Sequence, residues 1–368
     1  MALTRTLTHK AASGTGLIAE ACPVADLETL ALLDRVPFQD SRGWWRVVTG
    51  TAIETGLQPQ FWLVHDDRPV LLMPLLRGRS GSGRRHGLTT PYTSLYQPTC
   101  AAGADLEAAG FALAPHLGPL LQLDALDPEW RGWGPLLRGL ARAGRQSAWF
   151  ASFANWRETL QGRCWSDYLA ARPGALRETI RRRLGRAERD ARAEFSLAVT
   201  PQDALAHLAE YDRVHARSWK EAEPFPDFAA AFVAEAALAG VLRIAVLREA
   251  GEPIAAQFWT VENGTATLHK LVHDEAVRAR SPGTVLTAWM IRRLIDEEQV
   301  MSLDFGRGDD PYKRLWAGEC RRRAGLVVAD PWHPLGAAAL LRQVAGSTLR
   351  RLRPSRDGAA PDIEQHAR

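Results

Sequence analysis

Residues 241–272, VLRIAVLREAGEPIAAQFWTVENGTATLHKLV, constrain the fold more than any other stretch. Three runs rich in Val, Ile, Leu, Phe, Trp and Thr are separated by short polar breaks at 249–252 and 262–264. Breaks that short join antiparallel neighbours, so the segment is an antiparallel meander. A polar loop, HDEAVRARSPG (273–283), leads into a helical pattern, TVLTAWMIRRLIDEEQ (284–299), and then into the strand VMSLDFG (300–306). A short helix near 311–317, a strand over 322–330 and a basic helix over 335–352 complete the C-terminal half.

The first half is less regular. Helical spacing covers 24–36, and a second helix begins near Trp44. Residues 58–78 read as a hairpin turning at 65–68, and RSGSGRRHG (79–87) as a loop. A helix at 106–118, a strand at 119–126, a helix at 130–144 and a strand at 147–160 follow. The first twenty residues and the tail after Pro354 read as loosely ordered.

From Trp165 to Phe195 the chain is helical and strongly basic. Leu176, Ile180, Leu184, Ala187 and Ala191 recur at three- and four-residue steps, so one face is buried and Arg177, Arg181, Arg182, Arg183, Arg186, Arg189 and Arg192 surround it. Such a face is either a solvated, salt-bridged surface or a platform for phosphate or RNA. Net charge is only +4, and lysine occurs only at Lys10, Lys220, Lys270 and Lys313. The basic balance therefore points weakly to nucleic acid, and no DNA partner is expected. Helices over about 202–219 and 228–239 precede the meander.

Cys22, Cys100, Cys164 and Cys320 lie far apart, in no zinc spacing and no dense disulfide framework. A reducing, cytoplasmic setting is expected. The N-terminal stretch lacks a continuous apolar core, so no signal peptide is expected, and no run approaches the roughly 20 apolar residues of a membrane helix.

Two stretches carry chemistry. In Arg278-Ala279-Arg280-Ser281-Pro282-Gly283-Thr284, Pro and Gly set the start of a helix whose free N–H groups and dipole make an anion site, with two arginines adding charge. A pyrophosphate fits there. In DFGRGDDPYKRLWAG (304–318), Gly306 and Gly308 permit close backbone approach, and Asp309 or Asp310 is placed to cap a helix begun by Pro311. Asp304 alternates with Leu303 and Phe305, so it leaves the opposite face of the strand. The same alternation puts His269 and Lys270 on opposite faces, so only one of them lines a cleft. The kinase-like DFG at 304–306 has no accompanying catalytic or Gly-rich loop.

The segments LHKLVHDEAVRARSPGTVLTAWMIRRL and LDFGRGDDPYKRLWAG resemble the CelD/BcsL-like branch of the GNAT N-acyltransferase superfamily, which is also similar to the Fem peptidyltransferases. PYTSLYQP (91–98) and the SWK at Ser218–Lys220 are looser matches. The resemblance is specific over 268–318 and loose elsewhere between about 24 and 335. It implies an α+β fold of two tandem GNAT-like halves, with mixed, mostly antiparallel sheets flanked by helices. The divisions expected are a flexible 1–20, a degenerate half at 21–160, a catalytic half at 161–335, and a basic helix and disordered tail at 336–368. The usual pyrophosphate loop is richer in glycine than 278–283, which carries one.

By resemblance, the chain moves an acetyl or longer acyl group from acyl-CoA to an amine. The acceptor is a small molecule or a saccharide, in exopolysaccharide or cell-envelope synthesis. An acyl carrier protein is an alternative donor, and aminoacyl-tRNA is the donor in a Fem-like reading. A non-catalytic, acyltransferase-like scaffold is the remaining alternative. No metal is required. Attack of an amine on a thioester needs a proton acceptor, an oxyanion donor and a proton source for the thiolate. Asp304 is the candidate to accept the proton or orient the amine, Tyr312 the candidate acid, and Lys313 the candidate anion binder. Arg278, Arg280, Ser281, Pro282, Gly283 and Thr284 form the candidate CoA site. Trp219, Lys220, Lys270 and Trp316 are the candidates for the acceptor groove.

Overall fold

A computed structural model describes residues 16–78 and 83–352, with side chains through Gln343. The expectations for the first fifteen residues, for 79–82 and for the tail after Leu352 lie outside the described residues.

Both turns of the meander are tight. Ala250 and Gly251, then Asn263 and Gly264, take positive φ in pairs, the geometry that matches the right-handed twist of hairpin strands. They join β9 (Leu242–Glu249), β10 (Glu252–Glu262) and β11 (Thr265–His273). The other strands of the second half are β8 (Ala193–Ala198), β12 (Ser302–Arg307) and β13 (Glu319–Ala329). The first half supplies β1 (Ile18–Cys22), β2 (Leu57–His65), β3 (Pro69–Gly78), β4 (Arg84–Gly87), β5 (Thr99–Cys100), β6 (Leu120–Leu126) and β7 (Gln146–Thr159). All join one mixed sheet in the order β1-β2-β3-β4-β6-β13-β7-β12-β11-β10-β9-β8, with β5 beside β3. The last strand, β13, therefore inserts between β6 and β7 and locks the two halves together.

The helices are α1 (Arg42–Thr51), α2 (Leu106–Leu113), α3 (Trp133–Arg142), α4 (Trp165–Ala170), α5 (Gly174–Ala187), α6 (Pro201–His215), α7 (Phe228–Leu238), α8 (Pro282–Asp296), α9 (Lys313–Trp316) and α10 (Pro334–Leu352). Ser41 caps α1 by accepting from the Trp44 N–H, and α1 buries Trp44, Trp45, Val47 and Val48. These side chains share a core with α6, α7 and strands of both halves, including Phe61, Leu72, Phe232 and Phe258. On the opposite face, α5 and α8 cover a second core that contains Ile180, Trp259, Leu286, Phe305 and Trp316. The α2–α3 pair covers a third, on the first half's strands. Leu335, Ala339 and Leu340 of α10 pack against Leu120 and Val327.

Four elements differ from the sequence reading. Ile18–Cys22, expected to be loosely ordered up to residue 20, is strand β1, and the helix expected through Phe195 ends at Ala187, with Ala193–Ala198 forming β8. Residues 24–36 form short 3₁₀ turns, Val24–Thr29 and Ala31–Leu33, instead of an α-helix. Their buried leucines, Leu27, Leu30 and Leu33, recur every three residues, the 3₁₀ period. The Arg42 guanidinium donates to the carbonyls of all three. Within the expected loop 79–87, Arg84–Gly87 pairs with β3 and runs parallel to β6.

Candidate active site

β11 and β12 run parallel, but they pair only from Thr265–Thr267 against Ser302–Asp304. Beyond that point β11 continues on β10 to His273, while β12 bulges against β7. The two strands thus part in the middle of the sheet, with Asp304 at the vertex. Gly306 takes φ +66°, and a Cβ there would lie 3.2 Å from the Leu268 carbonyl, so a larger residue would block the close passage.

A bulge on β11 changes which side chains meet here. Phe258 opposes Lys270 and Trp259 opposes Leu268, leaving His269 as the extra residue. Leu268 belongs to the core under α8, whereas the His269 ring lies 4.8 Å from Phe232 of α7. The Lys270 ammonium lies 4.5 Å from the Tyr92 ring, which stacks on Phe228 of α7. His269 and Lys270 therefore share one face, which corrects the alternation inferred from sequence. The His269 Nε2 bonds Thr260 Oγ1 at 2.8 Å. Burial pushes its pKa down to about 4, only partly opposed by Asp304, so the ring is neutral at physiological pH.

Glu223, in the connection between α6 and α7, gathers this face. It accepts from Lys270 Nζ at 2.5 Å and from the Tyr92 hydroxyl at 3.0 Å, with His215 Nε2 at 3.8 Å. Burial alone would raise the Glu223 pKa; the Lys270 hydrogen bond and charge and the Tyr92 bond outweigh it and hold the carboxylate ionised. At Lys270, which is more enclosed, burial outweighs Glu223 and lowers the ammonium. Sequence reasoning missed Glu223; its one available signal was its place three residues after the SWK.

Asp304 is nearly buried and well held. Its Oδ1 accepts from Asn155 Nδ2 at 2.7 Å and from the Gly306 N–H at 2.8 Å, and its Oδ2 pairs with Arg321 at 2.8 Å. Asn155 Oδ1 in turn accepts from Arg321. The ion partner is thus Arg321 of β13. One lone pair of Oδ2 remains unused among the described contacts.

The following turn is self-contained. Lys313, 5% exposed, donates to the Arg307 carbonyl at 2.5 Å and pairs with Asp310 at 3.0 Å. Asp309 accepts from Trp156 Nε1 at 2.8 Å and from Arg314 at 2.9 Å. Neither carboxylate caps α9, contrary to the expectation, because the helix starts at Lys313 and Tyr312 takes the N-cap position. Trp316 is a core residue of the α8 face, and its carbonyl accepts from the buried Tyr168 hydroxyl at 2.6 Å, so it does not line a groove. Tyr312 packs at the edge of the same core. Its hydroxyl has no hydrogen-bond partner among the described residues, and burial, then Asp310, raises its pKa.

On the other face, the loop after β11 forms a 3₁₀ turn, Glu275–Arg280, that ends at Ser281 in the left-handed region with φ 56°. The Ser281 side chain makes no capping bond to α8, which starts with Pro282. The N–H groups of Gly283 and Thr284, as first-turn donors, therefore receive no capping bond from Ser281. Asp274 bonds the Ala276 N–H and the Arg217 guanidinium, which fixes the loop entry. Arg280 is engaged by Glu249, and Arg278 lies 3.7 Å from Glu275. Arg183 of α5 donates to the Ala279 carbonyl at 3.0 Å, so the basic helix adjoins this loop. Trp219 is half exposed, with its ring 4.3 Å from His273, and His273 borders Gly283.

Two halves, a parted strand pair and an uncapped helix start can be compared with known proteins. Residues 174–314 match the family model of the acetyltransferase (GNAT) domain. That stretch contains the meander, the loop, α8 and the vertex at Asp304. No curated protein matches the chain. Among solved structures, FemX matches with TM-score 0.56 at 9% identity, over 84% of this chain and 96% of that one. A conserved protein of unknown function from Bacteroides thetaiotaomicron matches with TM-score 0.54 at 15% identity, over 84% of this chain and 99% of that one. The C-terminal domain of a protein named as a lysylphosphatidylglycerol synthetase, from Agrobacterium fabrum, gives 0.52 at 15%, over 87% and 95%. At these identities the likeness is one of fold. The fold is α+β, built of two GNAT-like halves, and the second contains the stretch that matches the GNAT domain model. Among the described residues no helix is long and apolar enough to cross a membrane, and no cluster of His, Cys, Asp or Glu is arranged to hold a metal ion.

Proposed function

We propose that the protein transfers an acyl group from acyl-CoA to an amine, with the second half catalytic. The observation that carries this reading is the parted β11–β12 pair beside the uncapped start of α8, inside the stretch that matches the GNAT domain. Donor and acceptor then approach from opposite faces of the sheet. The pyrophosphate rests on the N–H groups of Gly283 and Thr284 with Arg278 and Arg280 beside it, and the thioester arm passes between the strands.

The amine enters from the face of Lys270, Glu223 and Tyr92. Its nitrogen attacks the thioester carbonyl carbon, the C–S bond breaks, and an amide forms. Asp304 orients the amine and accepts its proton on the unused Oδ2 lone pair, with Arg321 and Asn155 fixing the carboxylate. Tyr312 donates the proton that the leaving thiolate needs. Lys313 shapes the turn that presents Tyr312. Lys220 lines the acceptor cleft, and Trp219 stands against His273 where that cleft meets the donor loop.

The acceptor class we favour is an amino sugar or polysaccharide precursor, on the resemblance of 268–318 to the CelD/BcsL-like branch. The test is release of CoA thiol from acetyl-CoA over a panel of amino sugars and simple amines, with the acetylated amine identified by mass. Turnover of any member supports the reading. Acetyl-CoA that binds without turning over any amine, with aminoacyl-tRNA consumed instead, would replace it by a Fem-like one. The basic face of α5 next to the 274–281 loop, on a chain with the fold of FemX, is what makes that second reading worth testing.

A further inference from the structure

Only four lysines occur in the chain, and two of them, Lys270 and Lys313, act electrostatically on a third, Lys220. Two carboxylates answer the three. Glu223 bonds Lys270 at 2.5 Å, and Asp310 pairs with Lys313 at 3.0 Å. Lys220 has no ion partner among the described residues. Its ammonium lies 5.8 Å from the centroid of the Trp219 ring. Burial, then Lys270, pushes its pKa down to about 8, while Glu223 and Asp310 pull weakly the other way.

The segment that carries Lys220 is anchored. Arg217 bonds Asp274 at 2.7 Å and the Pro253 carbonyl at 2.6 Å. The Ser218 hydroxyl donates to the His215 carbonyl at 2.8 Å and accepts from the Lys220 N–H at 3.3 Å. Lys220 is thus held in a partly buried position with no counter-charge of its own, and an anion that meets it there forms a charge-assisted pair.

We propose that the acceptor carries an anionic group, a carboxylate or a phosphate, that docks on Lys220 beside Lys270. This rests on the reading of this face as the acceptor side. The ligand anion completes the charge set, and it fixes the amine's distance from Asp304. Neutral amines lacking such a group are then poor acceptors.

The scarcity of lysine makes the test direct. The full chain is labelled with ¹³C-lysine, and Lys220 is assigned by its loss in Lys220→Met. Inorganic phosphate and acetate are titrated separately, with and without saturating acetyl-CoA, whose own binding is followed by calorimetry. The expected result is a saturable shift of the Lys220 signal, with its titration midpoint moving up from about 8 and little change at Lys10. Lys220→Met should weaken phosphate binding roughly tenfold. The phosphate response should persist when acetyl-CoA is bound. No response to either anion overturns the proposal. A response that acetyl-CoA abolishes assigns Lys220 to a donor phosphate and also overturns it. A phosphate response in a protein that does not bind acetyl-CoA defeats the acyltransferase reading, and the acceptor assignment with it.

Discussion

Lys270 and Glu223 meet at 2.5 Å across the face where β11 bulges, and the same carboxylate holds Tyr92 from the first half. The Tyr92 hydrogen bond to this carboxylate therefore ties the two halves at the candidate acceptor cleft. Removing the charge should be felt in both stability and chemistry. Glu223→Gln is expected to cost about 1–3 kcal/mol, measured by urea unfolding, because it leaves an enclosed ammonium uncompensated. It should also lower kcat/KM for the acceptor more than the affinity for acetyl-CoA. Unchanged stability would show that the pair is not compensating buried charge.

His269 predicts a pH dependence. Its folded pKa, about 4, lies below the ordinary 6.5, so between these values the unfolded chain binds more protons. Stability from this group is complete above 6.5 and is lost as pH falls toward 4, by up to about 3 kcal/mol. Unfolding curves at pH 4.5 and 7 should converge for His269→Gln relative to the parent. An equal acid loss in both would contradict the assignment.

Asp40 works with the opposite sign. Burial, then Glu262, pushes its pKa up to about 7, while Glu262 itself accepts from the Phe38 N–H. The folded state holds the extra proton between 3.8 and 7, so ionising Asp40 costs stability as pH rises through that window. Asp40→Asn should unfold at higher urea than the parent at pH 8, and the advantage should shrink by pH 4.5.

The catalytic assignments separate by kinetics. Tyr312→Phe keeps the packing and removes the unpartnered hydroxyl, so kcat should fall by about 10²-fold with donor KM little changed. Asp304→Asn should lower kcat while leaving acetyl-CoA affinity intact, and should also loosen the Arg321 and Asn155 network. A parental kcat in either variant removes that residue's role.

The sequence made the second half legible because its signals are local. Asn263-Gly264 and Ala250-Gly251 mark the hairpins, Ser281-Pro282-Gly283 marks the start of α8, and the apolar spacing of Leu176, Ile180 and Leu184 marks the buried side of α5. Non-local features were not readable. Nothing in residues 319–329 says that β13 inserts between β6 and β7, or that its Arg321 is the partner of Asp304. A bulge leaves no mark on a single strand, so period-two alternation misplaced His269. The 3₁₀ turns at 24–33 mimic a helix in their leucine spacing until Arg42, distant in sequence, is seen to take their carbonyls.

The most direct measurement of the central claim is calorimetric titration of acetyl-CoA into the parent protein and into Gly283→Glu. A Cβ at Gly283 would already lie 3.2 Å from His273 Nδ1, and a carboxylate there would face the N–H groups proposed to hold pyrophosphate. The account predicts saturable binding to the parent and none to the variant, whose circular dichroism and melting are those of a folded protein. Absence of binding in the parent, or equal binding in a folded variant, would contradict it.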